Sequence, residues 1–320
     1  MTTIDDLVRV SGYSRSTVFR FLAGKNVRKE AREAIRVAAR EIGFTKGVKQ
    51  DRDDVAILLS VPSDFEGFRG FADAVEGIMR RAGELGLPLV FDESHAAGKR
   101  LAVVCLGKNK SDEDAEFSRR KELGQAMVFV NRMPDDQDAS WVSVDFRIAA
   151  AEAGARLVAA GCGKIAVWAD AEDRRVETEK LRGLRECLRT GNGRIELIEL
   201  SPEQGTIEEA ARAVLSEANR PDGWFGVSDE IAMRVIRIAS SLGLRVPRDL
   251  SVIGMNDVEG AAYFTPALTS VHVPFRECGI AAVDIALRLL DNPSEHSVKL
   301  LMRHRLIERE SCAAANDLSL

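Results

Sequence analysis

The sequence is short of the residues from which catalytic centres and covalent frameworks are usually made. Of 320 residues four are histidines (His95, His272, His296 and His304), and none stands in an H-x-x-x-H or H-E-x-x-H spacing, which excludes the common helical zinc sites. The five cysteines are odd in number, scattered and without a C-x-x-C pair, which argues against a disulfide framework or a zinc ribbon and for reduced, mostly buried thiols. There is no run of about 18 apolar residues. The opening MTTIDDLVRV has acids where a signal peptide needs a basic end and an apolar stretch, so a cytoplasmic chain without membrane association is expected. No G-x-S-x-G elbow or Walker motif occurs, and GNG at 191–193 reads as a turn. These absences leave no catalytic constellation; neither an enzyme, a metal nor a cofactor is expected.

What is present is unevenly placed. The length suggests two or three domains, and 45% apolar with 30% charged residues is a globular composition. Residues 1–50 carry eleven Lys/Arg against five Asp/Glu, a balance of +6, whereas the remaining 270 residues balance at −11. A small basic head on a large acidic body favours a polyanionic partner for the head alone.

The head resolves into three short helices. Thr3 followed by Asp6 resembles a capping box and starts a helix over about 4–10, with Leu7 and Val10 inward. Gly12 breaks it, and Ser14 caps a second helix over 15–22 that ends at Ala23 and Gly24. A third, about 29–42, shows Ile35, Ala38, Ala39 and Ile42 at helical spacing before Gly43. Two helices joined by a short turn containing Gly form a helix-turn-helix. On the second, Val18, Phe21 and Leu22 share one side, and Arg15, Ser16, Phe19 and Arg20 the other. An arginine fork on such a face can pair with the O6 and N7 acceptors of guanine, while Ser14, Thr17 and the free N–H groups of the helix start can hold phosphates.

TIDDLVRVSGYSRSTVFRFLAG, continued by VRKEAREAIRVAAREIGF, closely resembles the head of the lactose/galactose repressor (LacI/GalR) family. The resemblance implies that Arg15, Ser16 and Arg20 occupy base-reading positions and that Thr3, Ser14 and Thr17 occupy phosphate-contacting ones. Phe19 stands where the family usually has a phosphate-binding serine; either that contact is lost, or the ring packs against a thymine methyl or a sugar.

Beyond the head, apolar strand runs (DVAILLSVP, LPLVFDES, LAVVCLGKN, AMVFVNR, then CGKIAVWAD, IELIEL, GWFGVSD, LSVIGMND) alternate with helical segments, which predicts two parallel-sheet units side by side in a bilobed α/β body. GLRVPRDLSVIGMNDVEGAAYFTPALTSVHVP resembles the family over more than thirty residues without a gap, and in all the resemblance covers about residues 1–44 and 54–313. It implies a periplasmic-binding-protein-like body that takes a small effector, commonly a sugar or nucleobase, between its lobes. Ligands in such sheets sit beyond the carboxyl ends of the strands. That geometry places Ser63, Asp64, Phe65, Phe71, Ser228, Asp229 and Asn256 at the cleft, and the resemblance adds Lys180, where the family usually has Arg. Asn256 replaces a usual Asp, Ser228 a usual Asn, and Leu200 a frequent aromatic ring.

Two segments are short. TKGVKQDRDD has no leucine where the family carries a hinge helix that wedges the minor groove, and HAAGKR stands where it has a helix of a dozen residues or more, so one helix of the first lobe is expected to be lost. The organisation expected is a helix-turn-helix domain at 1–44, a linker at 45–54, a bilobed effector and dimerisation domain at 55–313 and a tail at 314–320. The function implied is a homodimeric, effector-controlled repressor bound to an operator in double-stranded DNA. A solute-binding protein of the same bilobed fold is the alternative, and an α/β enzyme the third class.

Overall fold

β-Branched apolar runs decide where strands lie, and small apolar residues at helical spacing decide what covers them. The computed structural model describes residues 2–23, 25, 27–44, 54–61, 69–107, 109–190, 195–292 and 296–314. The linker at 45–53, with its expected lack of a hinge helix, lies outside the described residues, as do the turn at 191–193 and the tail from 315. The chain divides into two compact units, 1–54 and 55–320.

The first unit holds α1 (Ile4–Ser11), α2 (Arg15–Leu22) and α3 (Lys29–Glu41). Thr3 closes the capping box with aspartate in place of glutamate: its hydroxyl accepts from the Asp6 amide at 3.2 Å, and its own amide donates to the Asp6 carboxylate at 3.0 Å. Gly12, at φ 71°, ends α1, and Ser14 caps α2 by accepting from the Thr17 amide at 3.3 Å. Leu7, Val18, Phe21, Ile35, Ala38 and Ala39 form the core. Val10, expected inside, is 40% exposed, because α1 buries the stripe Ile4, Leu7, Val8 and residue 10 falls about 100° off it.

The second unit begins with β1 (Val55–Ser60), α4 (Arg69–Leu85), β2 (Leu89–Val90), β3 (Arg100–Cys105), α5 (Lys110–Glu122), β4 (Met127–Val130) and β5 (Ser140–Ser143). It continues through α6 (Phe146–Ala159), β6 (Lys164–Trp168), α7 (Arg175–Thr190), β7 (Glu196–Leu200), α8 (Ile207–Leu215), β8 (Gly223–Gly226), α9 (Asp229–Ser241), β9 (Ser251–Asn256), α10 (Glu259–Tyr263) and β10 (Thr269–His272). It closes with α11 (Phe275–Asp291), β11 (Lys299–Leu301) and β12 (Arg305–Ile307).

These strands make two sheets of six, ordered β11-β5-β4-β3-β1-β2 and β12-β10-β9-β8-β6-β7. Both are parallel except for β12, which runs antiparallel to β10 at an edge. The two lobes are therefore present, but they are not consecutive halves of the chain. After β5 the backbone enters the second lobe; after β10 it returns with α11, which packs on α4 and is followed by β11 on the first sheet; it then crosses again to β12. Glycines set how closely the helices of each lobe approach. A Cβ on Gly77 of α4 would lie 2.1 Å from the Arg276 carbonyl oxygen of α11, and one on Gly183 of α7 1.9 Å from that of Arg147 in α6.

The first lobe lacks a helix between β2 and β3, as the short HAAGKR segment predicts. Only a single 3-10 turn, Glu93–Ala96, bridges them, and β2 is cut to two residues where LPLVFDES suggests a full strand. Arg120 of α5, 2% exposed, helps cover that side: it binds Glu93 at 2.9 Å and Glu116 at 2.8 Å, tying the 3-10 turn to α5.

Candidate functional site

In the first unit the outward face of α2 carries Arg15, Ser16 and Arg20, all exposed, as are Thr3 and Ser14, while Thr17 is half-buried. The Ser14 hydroxyl sits 3.0 Å from that of Ser16 and 2.9 Å from that of Thr17, so three hydroxyls cluster where the N–H groups of α2 are open. Thr3 is engaged in its own cap on α1. Phe19 is 46% exposed on the same face. A groove lined by Tyr13, Thr17, Arg20, Val27, Arg28 and Ala31 runs beside it.

In the second unit the strands of the first lobe point their carboxyl ends at α7 of the second, and a cavity of about 90 Å³ lies between them. Phe71, Phe146 and Phe275 form its apolar wall; Asn131, Arg132 and Glu177 are among its polar residues. Phe146 and Phe275 stand just after two of the crossings between the lobes, so the wall is built where the lobes join.

Asn131 and Asn256 end β4 and β9, one in each lobe, and share two features. Both have positive φ, 54° and 112°, and both bury an Oδ1 that no protein group satisfies. Buried unsatisfied acceptors and backbone strain of this kind concentrate at binding sites. Of the two, Asn131 lines the cavity.

The other expected cleft residues take varied places. Asp64 and Phe65, with Ser63, lie outside the described residues. Phe71 lines the cavity. Lys180 is 1% exposed behind the aromatic wall, its Nζ donating to the Val227 carbonyl at 2.8 Å and lying 5.2 Å from the centre of the Phe146 ring; burial holds its ammonium below the usual lysine range. Ser228 caps α9, its hydroxyl accepting from the Ile231 amide. Asp229 turns beneath β9: the Ser270 hydroxyl and the Val258 amide donate to its two oxygens, and burial pushes the carboxyl up to about 6.

Sequence reasoning missed the groups that fasten the lobes together. The side chain of Asn109, at the start of α5, makes no cap; instead Asp173 of the second lobe reaches across, its carboxylate accepting from the Ser111 amide at 3.1 Å and from the Ser111 hydroxyl, its carbonyl from the Lys110 amide at 2.7 Å. Arg175, the first residue of α7, donates to Glu113 at 3.4 Å, Asp114 at 2.9 Å and Asp135 at 3.1 Å, all on the first lobe. Glu113 is fully buried between Arg175 and Arg132, the latter 2.7 Å away, and burial holds its carboxyl above the usual range against the pull of both guanidinium groups. Asn131 and Arg132 were findable, since the strand-end rule applied to AMVFVNR points at them. Nothing in the charged run KSDEDAEF marks Glu113 as buried.

Comparison with known proteins agrees with this architecture. A periplasmic binding protein-like domain model matches residues 155–312. The helix-turn-helix-type transcriptional regulator GalR of Streptococcus thermophilus is 29% identical over 314 residues, 92% of this chain and 94% of that one. The transcriptional repressor PurR of Klebsiella pneumoniae is 27% identical over 98% of this chain and 97% of its own. Among solved structures, a lac repressor dimer bound to operator and the anti-inducer ONPF aligns with a TM-score of 0.71 at 20% identity over 98% of this chain and 99% of that chain, and a complex of the regulator CelR with cellobiose with 0.68 at 24% over 97% and 100%. These relatives support membership of the LacI/GalR family of transcriptional regulators. No helix among its described residues is long and apolar enough to cross a membrane.

Proposed function

We propose that the protein is a cytoplasmic, sequence-specific DNA-binding repressor controlled by a small molecule held between the two lobes. The observation that carries this reading is the outward face of α2, where Arg15, Ser16 and Arg20 stand together above a cluster of three hydroxyls at an open helix start, within a stretch, residues 1–50, whose charge balance is +6. This is the chemistry of a helix-turn-helix head: α2 enters the major groove, the guanidinium groups reach guanine edges, and Ser14 and Thr17 hold phosphates. One such head makes few contacts, so a homodimer with two heads about a twofold axis reads two half-sites.

In the body, Phe71 supplies a face for a ring, and Asn131, with Asn256 from the other lobe, accepts from the ring's hydroxyl or N–H groups, which suits a sugar or a nucleobase. The relatives support that class, one of them having been solved with cellobiose. The ligand acts by population shift: it favours whichever lobe arrangement it binds better, and only that difference in affinity can alter DNA binding. A solute-binding protein of the same fold would leave the basic unit without a role.

Replacing Arg20 by Ala tests the head. In a shift assay at fixed salt the variant is expected to lose roughly 1–3 kcal/mol per half-site and its preference at one base pair. Unchanged affinity and preference would remove the assignment.

A further inference from the structure

Phe19 is the one large hydrophobic residue among the outward-facing groups of α2, 46% exposed and one turn beyond Arg15. The guanidinium carbon of Arg15 lies 5.8 Å from the centre of its ring, and on its other side Arg15 meets the Asp5 carboxylate of α1 at 3.3 Å. Arg15, with its side chain still 64% exposed, thus lies within reach of both the ring and the Asp5 carboxylate. An apolar ring in that position gains by being covered. Of the groups that base pairs present in the major groove, the only apolar one is the C5-methyl of thymine.

Resting on the reading of α2 as the groove-entering helix, we propose that Phe19 is a specificity-determining residue that packs on a thymine methyl beside the guanine paired by Arg15. The ring selects one thymine, and the neighbouring fork reads the adjacent guanine on its own acceptors. When the head docks, Arg15 exchanges Asp5 for the guanine acceptors and keeps its contact with the ring. A ring lying instead on a deoxyribose would be indifferent to the base, and that difference is measurable.

The test uses the full chain and duplexes enriched by it from random DNA. Each thymine of the enriched site is replaced by uracil, one position at a time and in both half-sites, which removes the methyl alone, and affinity is titrated at fixed salt. One thymine per half-site is expected to stand out, its replacement weakening binding about fourfold per half-site and roughly 15-fold for the pair, the scale of one buried methyl group. Phe19→Ala and Phe19→Ser, at an exposed position outside the core, are expected to melt like the parent, to retain the guanine preference, and to bind thymine and uracil sites within about twofold of each other, well below the effect of one buried methyl across two half-sites. The proposal is overturned if the variants keep the parent's methyl sensitivity, if the parent shows none at any thymine, or if the variants fold but lose thymine and uracil sites alike. A parent that enriches no duplex at all overturns the DNA reading itself, a result distinct from methyl indifference on an enriched site.

Discussion

Asp229 shows how a carboxylate at a strand-end position can be held by the fold's own groups. Its two oxygens are taken by the Ser270 hydroxyl and the Val258 amide, and a Cβ on Gly254 would lie 2.3 Å from one of them, so the carboxylate is wedged under β9 and helps fix the turn after it. Burial raises its pKa from 3.8 to about 6. The folded protein therefore holds the proton more tightly than the unfolded chain. The resulting stability is fully present below the ordinary aspartate pKa and lost as pH rises through about 6. Relative to Asp229→Asn, the parent is expected to lose on the order of 3 kcal/mol of unfolding free energy between about pH 4 and about pH 7, measured by denaturant titration. A parent-to-variant difference that stays constant over that range would show that the carboxyl is not perturbed in this sense.

At the scale of elements, most of the body was legible because its strands are unbroken apolar runs and its helices bury small residues at regular spacing. VAILLS, MVFV and GWFG need no context to be seen as buried strands. β5 escaped because SWVS begins and ends in serine, and its burial comes from being central between β4 and β11. Nothing local says that α11 and β11 return to the first lobe; that follows only from the pairing of β11 with β5 and of α11 with α4. Apolar periodicity marks a helix late wherever charged residues lead: α5 begins at Lys110 and α7 at Arg175, several residues before their apolar stripes. The same charged first turns carry the contacts between lobes, so the part of the site least visible in the sequence is the part built from ion pairs across the cleft. In the first unit capping chemistry is local, and α1 and α2 start directly after their capping residues Thr3 and Ser14.

For the whole molecule, the cleft is held by its own side chains. Asp173 caps α5 from the opposite lobe, and Arg175 gathers three carboxylates of the first lobe around itself. A ligand that prefers separated lobes must break this set, whereas one that prefers them together finds it already made; the set therefore biases the equilibrium on which effector control depends. Removing Arg175 leaves the buried Glu113 with Arg132 as its one remaining guanidinium partner among the described residues and removes the contacts to Asp114 and Asp135. Arg175→Ala is expected to enlarge the ligand-free protein in solution scattering and to speed hydrogen exchange at the Ser111 amide by about tenfold or more, the equivalent of roughly 1.4 kcal/mol. A variant with unchanged scattering and unchanged exchange would assign the lobe arrangement to the apolar wall of Phe71, Phe146 and Phe275 instead.

The central claim concerns the basic three-helix unit, and selection of bound duplexes from random DNA tests it most directly. The account predicts enrichment of a site with twofold symmetry, each half-site carrying a guanine that Arg20→Ala no longer distinguishes. If no duplex is enriched over scrambled competitor, with or without sugars and nucleobases present, the regulator reading is contradicted.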